Sequence, residues 1–323
     1  MISVADIRDA ALRLDGVIVD TPLLSSAEVD DRVGGVVLLK PECLQRTGSF
    51  KIRGAYNLMS QLTREQAARG VVAWSSGNHA QGVAAAGKLL AIKTTIVMPE
   101  DAPQRKIENT RLLGGEVVLY DRYTGDRESI AGEIAAKSGA ELVPSYEHQD
   151  IIAGQGTVGL EIMDQCAAMG TIVDQVIISC GGGGLSAGAA IAIKAISPQT
   201  DVFLVEPEDF DDTLRSFQSG ERMENAASAR SICDALQTET PGELTFEINR
   251  RLASGVLTVT DGEVEDAMRL AFQHLKLVVE PGGAVALAAA LAQKVPMRGK
   301  TTAIVLSGGN VDEALFASIQ RGD

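Results

Sequence analysis

Aromatic side chains make up only 4% of this 323-residue chain, with a single tryptophan, so Ala, Val, Leu and Ile must fill whatever core it builds. Cysteine is sparse as well. Cys43, Cys166, Cys180 and Cys233 are scattered with no CxxC pair, which points to a reducing, cytoplasmic setting rather than a disulfide framework. Of the histidines, His148 and His274 have no partners at the spacing a zinc site needs. Positive charge is short: 29 Lys and Arg face 43 Asp and Glu, a net charge of −14. Nucleic acid and anionic membrane surfaces are normally engaged through Lys and Arg, so neither is expected as a partner. No apolar run approaches the ~20 residues that span a bilayer, and no basic-then-apolar export signal opens the chain. Internal repeats, low-complexity tracts and flexible linkers are absent too. A soluble protein with a small-molecule partner is the expectation.

What the chain does contain is alternation. Short β-rich runs at 36–39, 71–74, 94–98, 116–120, 176–178, 202–205, 256–259 and 302–306 are separated by Ala-rich helical patterns at 80–90, 130–137, 160–169, 185–196, 264–277 and 284–294. That order predicts an α/β fold of parallel sheets with helices on both faces. Strands buried on both faces explain why the runs are apolar throughout rather than alternating. Ligands in such sheets sit at the C-terminal strand ends. Three of those ends carry unusual sequences: Ser75 to His79, Gly181 to Gly184, and Ser307-Gly308-Gly309-Asn310.

Four consecutive glycines between a β-branched run and a helical pattern have the layout of a backbone anion cradle, since glycine lets successive N–H groups converge and the helix adds its positive end. The alternative is a turn that merely lets helix and sheet pack closely. Leu185 follows where a nucleotide-hydrolysing loop would need Lys and then Ser or Thr, so that class is not expected. Glu206 imitates, without matching, the ribose-binding acid of a dinucleotide site.

Lys51 stands between Phe50 and Ile52, straight after Thr47-Gly48-Ser49. It is either an ordinary surface lysine in a first helical turn or a buried amine, beside an apolar ring, whose lowered pKa suits it to form a Schiff base.

Taken together, TGSFKIRGA, SSGNHAQG, SCGGGGLSAG, VEPEDFDD and LSGGN, in this order over most of the chain, closely resemble the fold-type II pyridoxal-phosphate enzymes. The nearest branch contains serine/threonine dehydratases, serine racemase and 3-hydroxyaspartate dehydratases. The resemblance implies a tryptophan synthase β-like architecture: two doubly wound parallel-sheet domains with the cofactor in the cleft between them. A larger domain would comprise residues 1–67 and 145–323, and a smaller mobile one residues 68–144; no extra regulatory domain follows.

The same resemblance implies the site. Lys51 is similar to the Schiff-base lysine and base for the Cα proton, and Phe50 to the residue flanking the pyridine ring. Asn78 is similar to the partner of the phenolic oxygen. Gly181, Gly182, Gly183 and Gly184 with the Leu185 N–H resemble the phosphate cup, and Ser307 the partner of the pyridine nitrogen. A neutral hydroxyl there withdraws fewer electrons than a carboxylate, which favours elimination over transamination. Ser75, Ser76, Asn78 and His79 match residues that grip the substrate carboxylate, His79 through its backbone or through its ring. The implied reaction is β-elimination from L-serine, L-threonine or 3-hydroxyaspartate to a 2-oxo acid and ammonia, the phosphate protonating the departing hydroxyl.

Several alternatives stay open on the residues. Ser76 is a helix-capping hydroxyl or a second acid–base group opposite Lys51, and in the second case the reaction is racemisation of a serine- or aspartate-type amino acid. Arg127, in YTGDRES, is either an exposed helix-start arginine or a clamp for a second substrate carboxylate. The acidic loop after residue 205 is solvated, or else Glu206, Asp212 and the Phe210 carbonyl hold Mg²⁺ or Ca²⁺ as in related enzymes. A homodimer is implied by the resemblance alone.

Overall fold

The computed structural model describes residues 2–102, 104–121 and 124–322. Among the described residues nine strands form two sheets, both parallel throughout. The five-stranded sheet runs β1 (Val36–Pro41), β9 (Thr301–Leu306), β6 (Gln175–Ser179), β7 (Asp201–Pro207), β8 (Gly255–Val259). The four-stranded sheet runs β4 (Glu116–Tyr120), β3 (Thr94–Pro99), β2 (Val71–Trp74), β5 (Glu141–Leu142).

Central position and composition agree. Strand β6, between β9 and β7, is buried at every residue, and its Val176-Ile177-Ile178 run faces helices on both sides. Edge strand β4 is half-exposed and admits Glu116. The helix Pro281–Leu291 is apolar all round and buried nearly end to end, which is the pattern of a helix enclosed by the core. Alanines at 284, 286, 288, 289 and 290 provide its thin surface, the packing expected of a chain poor in aromatics.

Two departures from the sequence periodicity have local causes. The helical pattern over 264–277 begins as an α-helix at Asp261–Leu270, where Thr260 caps Glu263 in a reciprocal capping box, and ends as a π-turn over Ala271–Leu275 stopped by left-handed Lys276. The helix Gln149–Ala168 starts eleven residues before its apolar periodicity becomes clear at 160, because Gly154, Gln155 and Gly156 break the pattern. Gln155 proves to be buried, and its reason for being there lies in the site.

A candidate active site at the strand ends

The C-terminal ends of β2, β6 and β9 meet around Lys51. The chain after β1 turns through Thr47, a non-glycine residue with φ of 62°, and enters the helix Lys51–Met59. Ser49 bridges Gly308, and the Phe50 N–H donates to the Ser307 carbonyl at 3.2 Å, so the end of β9 fixes where Lys51 begins. A buried ion network holds the rest of this helix. Arg53 forks onto Glu42 at 2.7 and 2.8 Å and onto Glu161, while Lys40 reaches Glu161 at 2.7 Å. Bidentate pairing of this kind fixes orientation as well as charge, so the helix start cannot pivot freely.

The Lys51 amine donates to the Ser145 carbonyl at 3.1 Å and lies 5.1 Å from the centre of the Phe50 ring. Burial pulls its pKa down to about 8, partly opposed by the charge of Glu280. Gln155 donates to the same Ser145 carbonyl at 3.1 Å, and its Oε1, buried and without a partner, points to Gly184.

Gly184 opens the helix Gly184–Ile196, whose N-terminus has no side-chain cap; its first backbone bond runs from Ala187 to the Gly183 carbonyl at 2.9 Å. The carbonyls of the loop are turned outward. Thr245 donates to the Gly182 carbonyl at 2.6 Å, and both Ser186 (3.0 Å) and Asn249 (3.2 Å) donate to that of Gly183. Because a trans peptide holds C=O and N–H antiparallel, the N–H groups of Gly183 and Gly184 point away from Thr245 and Asn249. The Tyr146 ring backs Gly182, and its Cα and Cβ back Gly184.

A second uncapped N-terminus belongs to the helix Asn78–Leu90 after β2. Ser75 Oγ accepts from the Gly77 N–H at 3.1 Å, and Ser75 and Ser76 are half-buried. Gly82 of this helix packs against the backbone and Cβ of Lys51. His79 Nε2 bonds the Val143 carbonyl at 2.8 Å, and burial, with the Lys51 charge, pushes its pKa down to about 3. An imidazole held neutral there has little acid–base use near pH 7. Asn78 sends Nδ2 to Glu280 at 2.6 Å and receives Asn310 Nδ2 on its Oδ1 at 2.8 Å.

Phe50, Lys51, Asn78, the tetraglycine and Ser307 thus converge on one place, with Ser75, Ser76 and His79 on its rim. Arg127 begins the helix Arg127–Ser138 and is exposed; burial raises the Tyr146 pKa and the Arg127 charge opposes that rise, but no contact among the described residues places its side chain with Lys51. Glu206 accepts from the Thr213 and Leu214 N–H groups at 3.0 and 2.9 Å. Burial and the neighbouring Asp212 raise the pKa of Glu206; burial raises that of Asp212 to about 6. Asp212 Oδ2 is buried without a partner. Four residues escaped the sequence reading: Gln155, Thr245, Asn249 and Glu280. Only Glu280, immediately before Pro281 and Gly282, carried any local signal.

A family model described as pyridoxal-phosphate dependent enzyme matches residues 14–308. The chain is 44% identical over 317 residues to an L-threo-3-hydroxyaspartate ammonia-lyase from Pseudomonas sp, covering 98% of each. Among solved structures it is similar to a T.th. threonine deaminase, with 43% identity, a TM-score of 0.91, and 96% and 99% of the two chains covered. Maize serine racemase is similar at 37% identity with a TM-score of 0.93, covering 99% and 98%.

Proposed function

The chain belongs to the pyridoxal-phosphate dependent enzyme family, and from that premise we propose that it is an ammonia-lyase that dehydrates and deaminates a 3-hydroxy amino acid, 3-hydroxyaspartate foremost. One observation carries the reading: an enclosed lysine amine with a lowered pKa lies between two uncapped helix N-termini. The residues present fit the cofactor. Outward-turned carbonyls leave the N–H groups of Gly183, Gly184 and Leu185 for a phosphate; Lys51 offers a nucleophilic amine to an aldehyde; and the Ser307 hydroxyl and one Asn78 N–H have no other partner among the described residues.

When bound, pyridoxal phosphate supplies an electron sink that acidifies the substrate's Cα–H. The chain's own residues do the rest. A Lys51 amine with a pKa near 8 has a sizeable neutral fraction at physiological pH and can take that proton; the Ser145 carbonyl orients it. The substrate carboxylate meets the first-turn N–H groups of Asn78–Leu90, with Ser75 and Ser76 beside it. Gln155 Oε1, buried and unpaired beside the cradle, is an acceptor placed to receive a donor from the ligand.

Specificity for a second carboxylate is assigned to Arg127. Purified enzyme should release 2-oxo acid and ammonia from 3-hydroxyaspartate, and Arg127→Ala should lower kcat/KM for that substrate by ~10-fold or more, the value of a charge-assisted pair, while changing L-serine turnover little. An equal loss on both substrates would remove Arg127 from this role. Chiral separation in the same assay detects racemisation, the second activity that Ser76 and the similarity to serine racemases support. Enantiomer exchange without ammonia would replace the lyase reading.

The Glu206–Asp212 pair we assign to Mg²⁺ or Ca²⁺, with the Phe210 carbonyl completing the protein ligands. Two carboxylates whose pKa values are raised by burial cost stability as they ionise: the folded form is favoured while they are protonated, and stability falls as pH rises through about 6. A bound dication cancels that loss. Added Mg²⁺ should therefore raise Tm more at pH 8 than at pH 5.5, and Asp212→Asn should abolish the difference. A Tm gain independent of pH would argue against this site.

Residues 68–144, which contain the four-stranded sheet, are the unit we take to close over the cofactor, and the exposed Leu44, Phe272 and Val278 are apolar side chains a homodimer contact would cover. The four free cysteines suit a cytoplasmic setting, and among the described residues no helix is long and apolar enough to cross a membrane.

A further inference from the structure

Glu280 holds the N-cap position of the helix Pro281–Leu291, where its longer side chain makes no cap bond. It turns instead into the site. Its backbone N–H donates to the Gly308 carbonyl at 3.0 Å, and the carboxylate fills the space where Gly308 lacks a side chain, one residue beyond Ser307. There Oε1 accepts from Asn78 Nδ2 at 2.6 Å, the only side-chain hydrogen bond of Glu280 among the described residues. Asn78 belongs to the helix that follows β2 of the other sheet, so the bond spans the two sheets.

An amide has two chemically different ends, and only its surroundings decide which faces which neighbour. On one side of Asn78 stands Asn310, whose Nδ2 also donates to the Thr47 carbonyl at 2.7 Å and therefore meets Asn78 as a donor. An ionised carboxylate can only accept, so Glu280 demands the NH2 end. Once protonated, it can donate, and the demand is gone.

We propose that Glu280 is a positioning residue: its ionised carboxylate fixes the Asn78 amide so that the second Asn78 N–H faces the ligand. This rests on the reading of the site as a pyridoxal-phosphate site. Charges that face Glu280 come from each element packed on it: Asp234 from the turn Asp234–Leu236, Lys106 from the helix Gln104–Leu112, and Lys51; the Cys43 and Cys233 thiols lie nearby. Burial first, then Asp234, pushes its pKa up to about 7, with Asn78, Lys106 and Lys51 opposing. Lys106 is itself paired to Asp234 at 2.6 Å. Neutral pH thus lies close to the change of state.

The test is titration of pyridoxal phosphate into cofactor-free protein, followed through quenching of Trp74, from pH 5.5 to 9. Wild-type affinity should carry a step near pH 7, tighter on the alkaline side by several-fold. In Glu280→Gln, which still accepts from Asn78 but cannot ionise, the step should vanish. Lys106→Ala should move the midpoint up and Asp234→Asn should move it down, shifts that a merely structural role would not produce. Ionisation of the ligand phosphate is common to all variants and cancels in the comparison. A step retained in Glu280→Gln, or a midpoint unmoved by both neighbours, overturns the inference while leaving the cofactor reading intact. Wild-type protein that binds no pyridoxal phosphate overturns both.

Discussion

Lys51→Ala should lose 2-oxo acid formation by ~10⁴-fold or more, because the proposed function gives one side chain both the covalent tether for the cofactor and the role of base for the Cα proton. Borohydride treatment followed by mass measurement should find the cofactor attached in wild type and absent from the variant. Lys51→Arg should fail equally: it keeps a cation of similar reach but has no deprotonated form near neutral pH. The fold should survive the change. Lys51 contributes one hydrogen bond, to the Ser145 carbonyl, while its charge is held in surroundings that disfavour it. The sign follows from linkage. A base whose folded pKa is lowered from 10.5 to about 8 weakens the fold fully below pH 8, and the penalty fades as pH rises from 8 to 10.5. Cofactor-free Lys51→Ala should therefore melt at or above wild type at pH 7, with the gap closing toward pH 10.5. A variant that melts well below wild type at pH 7 would mean that Lys51 is a structural cation, and residual turnover within tenfold of wild type would remove it from the chemistry.

That lysine also shows how burial tunes two ionisable groups of the site, one proposed as base and one as a positioning residue. Glu280 and Lys51 feel one another's charge, and burial drives both toward their neutral forms, the acid up to about 7 and the amine down to about 8. His79, for which the sequence leaves open a substrate contact through its backbone or its ring, has that ring locked on the Val143 carbonyl and kept neutral.

How much of this was legible beforehand follows the physics of each signal. Buried parallel strands announce themselves by uninterrupted β-branched runs, so all eight expected strands are present, β2 and β4 with the same ends. Strand β5 is two residues long at a sheet edge and leaves no pattern. The motifs at the strand ends were legible because glycine and small polar residues in series are unusual there. Thr245 and Asn249 were not: they sit on the buried side of the amphipathic helix Glu243–Leu252, where polar residues at helical spacing read as surface. Buried charge misleads in the same way. Lys40, Glu42 and Arg53 look like ordinary surface residues, but they are wholly enclosed, Arg53 paired with Glu42 and both cations with Glu161, a solution that only three-dimensional pairing reveals. Gln155 and Glu280 act through contacts 10 and 202 residues away, at Ser145 and Asn78, distances to which no local pattern is sensitive.

The tetraglycine yields the second large expected effect, and the four positions should not behave alike. A methyl group on Gly181 would stand 3.2 Å from the Leu236 Cα and 3.4 Å from its Cδ2, tight but without overlap, and Gly181 does not have a positive φ. Gly183 differs on both counts. Its φ of 87° is one that L-residues avoid at a cost of about 1–2 kcal/mol, and a Cβ there would stand 2.8 Å from Asn249 Nδ2 and 3.0 Å from Thr245 Oγ1. Those two side chains hold the Gly182 and Gly183 carbonyls outward, so displacing them turns the loop's N–H groups from the direction in which we propose they meet the phosphate. Strain and lost aim act on the same equilibrium. Gly183→Ala should weaken cofactor binding by ~10²-fold, equivalent to about 3 kcal/mol, while Gly181→Ala stays within about threefold of wild type. Pyridoxal-phosphate titration of the cofactor-free variants, with Tm as the control for folding, separates the outcomes. Equal losses at both positions would mean that the loop serves only to bring helix and sheet together. A selective loss at Gly183 ties the left-handed turn to anion binding, because only there do backbone conformation, carbonyl anchoring and N–H direction depend on the same missing side chain.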